Sequence, residues 1–304
     1  MDIKKQLQEY GDVLMNEEMR CHTTFRIGGK IKYSFYPFNL DALKEGMKLI
    51  KKSGMEYKVV GKGSNLLWCD EDCDMIVIFL DHYLCNYEIQ ENIMEIEAGA
   101  SIIQMANIAK NNSLSNLEFA SGIPGTIGGA VFMNAGAYKM EMKDIVTEVL
   151  VLIDDEYVWM NSLDCHFTYR HSIFMDHKDW IIVKIRLQFI RKDKQEIEEC
   201  MTSRRIRRLE SQPLDKPSAG SSFKNPDTVN AWKLIDDAGL RGYRVGGAGI
   251  SEKHCNFIVN NGNASCKDVK QVIHDVQEKV KEQFNICLHT EVEEFTCQKK
   301  EKRS

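Results

Sequence analysis

The sequence predicts an α+β protein of two or three domains, and three observations carry that prediction. At 304 residues the chain exceeds the roughly 100–200 residues typical of one domain. Strand-like and helix-like periodicities come in unequal blocks rather than in strict βαβ alternation. Composition changes at Ser211–Ala219, where two of the five prolines fall, and this stretch reads as a loop entering a new domain.

Residues 2–20 read as a charged amphipathic lead-in. Tyr33–Tyr36 alternates as a strand, and Asn39 or Asp41 caps a helix through Ile50 with Leu43, Met47 and Ile50 on one face. Tyr57–Val60 and Met75–Leu80 are short β runs. A strand-rich segment from Ile89 is interrupted by a helix at 102–111, and the β runs Val146–Ile153 and Trp180–Ile190 close it. A charged helix spans Ile197–Leu209. Beyond the proline loop the pattern predicts a helix over 228–238, a β run at Asn256–Val259, and a helix over Cys266–Phe284. That helix aligns Val269, Val272, Ile273, Val276 and Val280. Leu288–Phe295 reads as the last strand.

Composition narrows the function classes. Apolar residues make up 43% and charged residues 28%, a globular balance. The net charge of −5 and the absence of a broad basic field argue against nucleic acid as a partner. The Arg204–Arg208 cluster could hold a phosphate, with a solvated helix face as the default reading, and Lys299–Arg303 reads as a solvated terminus. The first ten residues lack the apolar core of a signal peptide. The longest apolar run, Met75–Leu80, is far below the ~20 residues of a membrane span. The chain therefore reads as cytoplasmic, without membrane insertion and of unassigned oligomeric state. Ten cysteines are then reduced, small hydrophobes. Cys69 and Cys73 have no matching downstream pair, so no metal site is expected.

Two glycine-rich segments stand out. Gly61-Lys62-Gly63-Ser64-Asn65 follows a β run, as a turn whose small residues let backbone N–H groups approach an anion. It is neither a Rossmann fingerprint nor a P-loop. Ser121–Ala130 holds four glycines in ten residues, followed by Asn134-Ala135-Gly136-Ala137-Tyr138. Ordering glycine costs about 0.5–1 kcal/mol relative to alanine. Two such segments suit either tight packing or a shared dinucleotide pyrophosphate.

Six motifs in order then resemble the UDP-N-acetylenolpyruvoylglucosamine reductase (MurB) family, over about Cys21 to Val292. They are Thr24-Phe25-Arg26-Ile27-Gly28-Gly29, Gly61 through Leu67, Gly122 through Tyr138, Tyr169-Arg170-x-Ser172-Ile173-Phe174, Ser218 through Pro226, and Ser251-Glu252-Lys253-His254. The resemblance implies an FAD-binding fold of the vanillyl-alcohol-oxidase type in two lobes, 1–80 and 81–195, and a C-terminal α+β substrate domain, 196–304. It implies FAD as cofactor, NADPH as hydride donor, and reduction of UDP-N-acetylglucosamine enolpyruvate to UDP-N-acetylmuramate in peptidoglycan precursor synthesis. The short interval from Arg170 to Ser221 matches the branch lacking an extra tyrosine-bearing loop. Lys139 stands where glycine is usual and Cys255 where alanine is common.

The implied chemistry assigns roles by register. Arg170 would stabilise the developing enolate through its guanidinium fork. Ser221 would donate the proton, with Ser222 as an immediate rival, and Glu291 would stabilise the enolate, with Glu293 on the same face if the strand alternates. Arg26, Gly61, Gly63, Ser64, Asn65, Leu66, Gly122, Pro124, Gly125, Thr126, Gly129, Ala130 and Asn134 would hold FAD, and Tyr169, Lys224 and Asn225 the substrate. His254 is either a ligand or a structural histidine. A flavin oxidase of the same fold and a non-catalytic flavin sensor are the competing readings.

Overall fold

The computed structural model describes residues 2–297, and the basic terminus expected at Lys299–Arg303 lies outside them. The chain passes more than once between two units. The first comprises the chain up to Met15, Tyr33–Lys62 and Met75–Arg208; the second comprises Asn16–Lys32, Gly63–Asp74 and the described residues from Leu209 on. Each has its own apolar core.

The first unit begins with helix α1 (Ile3–Leu7), and the charged lead-in then continues as the strand Gly11–Met15. That strand pairs antiparallel with Ile31–Pro37. Helix α2 (Leu40–Ser53) starts where the Asn39 side chain accepts from the Ala42 N–H at 2.9 Å and ends at Gly54, whose φ of 68° needs no Cβ-bearing residue. Leu43, Met47 and Ile50 are buried on its inner face, as their spacing predicts. Glu56–Val60 and Cys73–Phe79 pair in parallel and complete a four-stranded sheet.

A five-stranded antiparallel sheet forms the rest of this unit, in the order 156–161, 146–153, 181–188, 93–97, 87–90. In its central strand Val183, Ile185 and Leu187 are fully buried. Lys184 and Arg186 point the other way and bond Glu95 at 3.0 and 2.9 Å. The period of two thus separates core from surface. The same stretch carries helices α3 (Ile102–Asn111), α4 (Ile127–Phe132), α5 (Ile173–Asp176) and α6 (Lys194–Ser211), and two short antiparallel ladders, 114–115 with 190–191 and 136–137 with 140–141. No helix among the described residues is long and apolar enough to cross a membrane.

The second unit packs α7 (Ala231–Asp237) and α8 (Cys266–Phe284) with a three-stranded antiparallel sheet, 244–245, 248–250 and 258–260. The expected helix over 228–238 starts three residues later, at Ala231, after the Pro226 turn. The expected last strand shortens to Glu293–Phe295, which pairs in parallel with Leu66–Trp68. Residues 288–292 instead touch the Ser221–Asn225 strip, through an isolated Phe223–Thr290 bridge. Helix α8 has the predicted bounds, and its five aligned valine and isoleucine positions are buried.

Helix α8 opens with a reciprocal cap. The Ser265 hydroxyl accepts from the Asp268 N–H at 3.0 Å, and the Asp268 carboxylate accepts from the Ser265 N–H at 3.0 Å. Asp268 also accepts from the Gly247 N–H at 3.2 Å. The Ser265 N–H bond, ahead of the Gly247 bond, holds the Asp268 carboxyl below its usual value. Such stability is present above the unfolded carboxyl pKa of about 4 and is lost as pH falls through the lower folded value. Asp268→Ala should therefore destabilise the protein by about 1–2 kcal/mol at neutral pH, and urea unfolding should show the gap to the parent closing below pH ~4.

Candidate active site

The residues expected to act fall in both units, and each half can be built from its own contacts. In the first unit, Thr168 and His171 exchange backbone hydrogen bonds of 3.1 and 3.2 Å across a tight turn. Arg170 sits at the end of this turn with φ 55°, a left-handed conformation that costs a side-chain-bearing residue roughly 1–2 kcal/mol. Ser172, fully buried, anchors the turn by donating its hydroxyl proton to the Phe132 carbonyl of α4. Strain held at one residue by surrounding bonds is a mark of functional positions.

The Arg170 guanidinium donates from Nη2 to the Gly136 carbonyl at 2.7 Å and meets Glu141 Oε1 at 3.4 Å from Nη1. Its carbon lies 4.9 Å from the centre of the exposed Tyr169 ring. Asn134 is wholly buried, and its amide donates to Glu141 Oε2 at 3.0 Å and to the Thr168 carbonyl at 2.8 Å, while accepting from the Lys143 N–H at 3.0 Å. Asn134 and Glu141 therefore fix the turn and the fork together. Glu141 is absent from the sequence-level candidates; its signal is a carboxylate between two methionines in Met140-Glu141-Met142.

The two glycine segments approach each other in this unit at Gly61. A Cβ there would come within 2.5 Å of Thr126 Oγ1. Thr126 is buried and caps α4 by accepting from the exposed Gly129 N–H at 3.1 Å. Gly125 adopts φ 154°, Pro124 is exposed, and Ala130 is buried. A Cβ at Gly122 would sit 2.9 Å from Arg208 Nη1.

Arg204 and Arg208, four apart on α6, turn one face inward. Arg204 lies 4.8 Å from the Tyr138 ring centre, and the Tyr138 hydroxyl donates to the Arg204 carbonyl at 3.2 Å. Among the described residues, Arg204 Nη1 and Arg208 Nε find no hydrogen-bond partner although both are buried. Burial pulls the Arg208 guanidinium below its usual value. The solvated helix face expected here is thus corrected for these two residues, whereas Arg205 and Arg207 are exposed. Unsatisfied buried guanidinium donors beside a glycine loop are a donor set for phosphate, so these residues fit a phosphate-bearing dinucleotide such as FAD.

In the second unit, Gly220 has φ 77° with open space around it, and the chain after it is pinned on both sides. The Ser222 N–H donates to the Asn256 carbonyl at 2.8 Å, and the Glu291 N–H donates to the Ser222 carbonyl at 2.9 Å. The Ser222 side chain is fully buried, its Oγ accepting from the Ile258 N–H at 3.1 Å. Ser221, half-buried, stands at the mouth of this clamp. Asn256 closes it, its amide accepting from the Phe223 N–H at 3.0 Å and donating to the Phe223 carbonyl at 2.9 Å. Sequence reasoning misses Asn256, although a polar residue opening the apolar run Asn256–Val259 is a signal of buried pairing.

The Gly63–Leu66 segment joins the same framework. A Cβ at Gly63, φ 56°, would collide with the His22 carbonyl at 2.2 Å. Asn65 donates from its amide to the Glu291 carbonyl at 2.9 Å, and the Asn65 carbonyl accepts from the Glu293 N–H at 2.9 Å. Leu66 is buried opposite Glu293, and Ser64 is half-buried. Glu291 and Glu293 are both half-buried, so burial does not separate them; the backbone bond to Ser222 belongs to Glu291. The Lys224 N–H donates to the His289 carbonyl at 2.9 Å, and the Asn225 side chain accepts from the Ala231 N–H of α7 at 3.0 Å. Arg26 is exposed with φ 55°. His254 Nδ1 accepts from the Asn256 N–H at 3.2 Å, and burial pushes the imidazole pKa down.

Comparison with known proteins joins these halves to one family. Residues 31–160 match the FAD binding domain, and residues 212–295 match the C-terminal domain of UDP-N-acetylenolpyruvoylglucosamine reductase. The chain is 41% identical to the UDP-N-acetylenolpyruvoylglucosamine reductase of Bacillus subtilis (strain 168), over 94% of this chain and 95% of that one. It is 44% identical to the reductase of that name from Agathobacter rectalis, over 95% and 96% of the two chains. The crystal structure of the Thermus caldophilus enzyme superposes with a TM-score of 0.80 at 32% identity, covering 94% of this chain and 99% of that one. With an FAD-binding domain, the family's C-terminal domain and full-length relatives at about 40% identity, the chain belongs to the MurB family of FAD-dependent oxidoreductases.

Proposed function

We propose that this protein reduces UDP-N-acetylglucosamine enolpyruvate to UDP-N-acetylmuramate, drawing electrons from NADPH, as a cytoplasmic step of peptidoglycan precursor synthesis. The observation that carries the reading is the clamped strip at Ser221. Ser222 is consumed by the frame, Ser221 is presented after a left-handed glycine, and Glu291 is bonded to the same strip. On this reading residues 1–80 and 81–195 serve the flavin and 196–304 the substrate.

Reduction of an enol ether conjugated to a carboxylate adds hydride to the methylene carbon and a proton to the α-carbon. When bound, FAD supplies the hydride. Arg170 grips the carboxylate, and its two-pronged bonds strengthen as negative charge builds there. Ser221 Oγ gives its proton to the α-carbon, and Glu291, in its protonated form, donates to the developing enolate. The backbone around Gly61, Gly63, Ser64, Asn65, Gly122, Gly125, Thr126 and Gly129, with Arg26, holds FAD, and the buried donors of Arg204 and Arg208 take phosphate charge. Tyr169, Lys224 and Asn225 are the proposed substrate contacts; Asn134 acts by orienting Arg170.

The direct test is anaerobic. The yellow protein should bleach with NADPH and recover its colour on addition of UDP-N-acetylglucosamine enolpyruvate, with product two hydrogens heavier by mass spectrometry. Recovery with oxygen alone would favour an oxidase, and a protein that takes up no FAD would break the link from glycine loops to cofactor. Arg170→Lys keeps the charge and loses the fork, so kcat should fall about 100–1,000-fold with the flavin spectrum close to the parent's. Arg208→Ala should weaken FAD binding about tenfold or more, the equivalent of one hydrogen bond to a charged group. Fluorescence titration of the apoprotein would read this, with the exposed Arg205→Ala as the unaffected comparison.

A further inference from the structure

Three cysteines that the reductase reading does not use meet at one point of the second unit. Cys69 follows the strand Leu66–Trp68, Cys73 opens the strand Cys73–Phe79, and Cys297 follows Glu293–Phe295. The parallel register places Phe295 opposite Trp68, so Cys297 is carried toward the turn that holds Cys69. Cys69 Sγ lies 3.5 Å from Cys73 Sγ and 3.1 Å from Cys297 Sγ, and Cys73 and Cys297 are joined as a disulfide. Cys69 and Cys73 are 3% and 6% exposed. Below them the Trp68 and Phe295 rings stack at 3.9 Å between centres. The downstream partner that the spacing of Cys69 and Cys73 lacks in sequence is supplied by the fold, 224 residues after Cys73.

A disulfide engages two sulfurs and leaves the third, Cys69 Sγ, packed against both. Three sulfur ligand atoms within 4.8 Å of one another, delivered by three separate segments, form instead the donor set of a soft cation. The three aspartates next to these cysteines in sequence are engaged elsewhere: Asp70 accepts from the N–H groups of Cys266 and Lys267 at 2.9 and 3.4 Å, Asp72 from the Lys30 N–H at 3.0 Å, and Asp74 pairs with the Lys32 ammonium at 2.7 Å. The site is therefore a sulfur site.

We propose that, with the Cys73–Cys297 bond reduced, Cys69, Cys73 and Cys297 bind one thiophilic d10 cation of the Zn2+ type through three thiolates, with the fourth position open to water. Reduction takes two electrons and two protons from a dithiol, which closes to its own disulfide; cation binding then releases the protons of the three thiols. The bound ion pins Glu293–Phe295 to Leu66–Trp68 at the end of this parallel pair that lies away from Glu291 and Asn65, which meet at its start. Its role is structural.

The test uses the full-length protein reduced with excess dithiothreitol and desalted without oxygen. Titration with Cd2+ alone should raise a thiolate-to-metal charge-transfer band that saturates at one equivalent, and Zn2+ alone should displace it. Zn2+ should shield three of the ten cysteines from a thiol reagent and raise Tm. Cys69→Ser and Cys297→Ser should each weaken Cd2+ binding by more than the roughly 10–100-fold cost of losing an outer partner of a ligand, whereas Cys21→Ser, at an exposed free cysteine, should change nothing. Cys297→Ser lies beyond the last strand, so its far-ultraviolet spectrum should match the parent's. No band with all ten thiols free, a band that persists in Cys69→Ser, or a Cys73–Cys297 bond that survives the reductant would each overturn the proposal.

Discussion

The second unit depends on a short backbone clamp, in which the Ser222 peptide is held between Asn256 and Glu291 by bonds of 2.8 and 2.9 Å. Both peptide groups of this strip are otherwise buried, and a buried amide without a partner costs about 1–3 kcal/mol. The bonds that avoid that cost also decide which groups stay available for chemistry. Ser222 turns inward to accept from Ile258, Ser221 is left at the edge, and Glu291 is drawn into the same framework. Asn65 then ties the glycine segment to Glu291 by a further bond, so the proposed cofactor loop and the proposed carboxyl share one support.

The first unit solves a similar problem with a side-chain network. Arg170 is a cation in a half-buried turn with an unfavourable backbone angle. Ser172, Asn134 and Glu141 fix it from three directions. A fork held in this way loses little entropy when it meets a carboxylate, which is the advantage of a preformed charge stabiliser. Arg204 and Arg208 show the complementary condition, since Arg204 Nη1 and Arg208 Nε are buried without a hydrogen-bond partner among the described residues, as the proposed phosphate contact requires.

Much of this was legible in the chain. The helix over Cys266–Phe284 and the strand Val146–Ile153 have the bounds that periodicity predicts, because their apolar positions face one core along their whole length. The α2 start is announced by Asn39, which caps it. Periodicity failed where long-range pairing sets the structure. Residues 288–292 read as strand, yet they bond the Ser221–Asn225 strip and only 293–295 enter a ladder. Local alternation has no term for that exchange. The different settings of Ser221 and Ser222 were likewise closed to spacing, since the burial of Ser222 goes with a bond from Ile258, a residue 36 positions away. The same holds for Cys297, whose meaning appears only when a parallel pairing carries it to Cys69, and for Asn256 and Glu141, single polar residues whose partners come from other segments.

A clamp that divides labour between adjacent serines makes Ser221→Ala and Ser222→Ala fail in different ways. Each variant would be followed for Tm and for anaerobic reoxidation of the NADPH-reduced enzyme by UDP-N-acetylglucosamine enolpyruvate. Ser221→Ala should keep its Tm and its reduction by NADPH while reoxidation slows by about 100–10,000-fold. Ser222→Ala should lose about 1–3 kcal/mol of stability by leaving the Ile258 N–H unpaired, with reoxidation per folded molecule close to the parent's. The reverse pattern, with reoxidation lost in Ser222→Ala and kept in Ser221→Ala, would show that Ser222 and not Ser221 serves the chemistry.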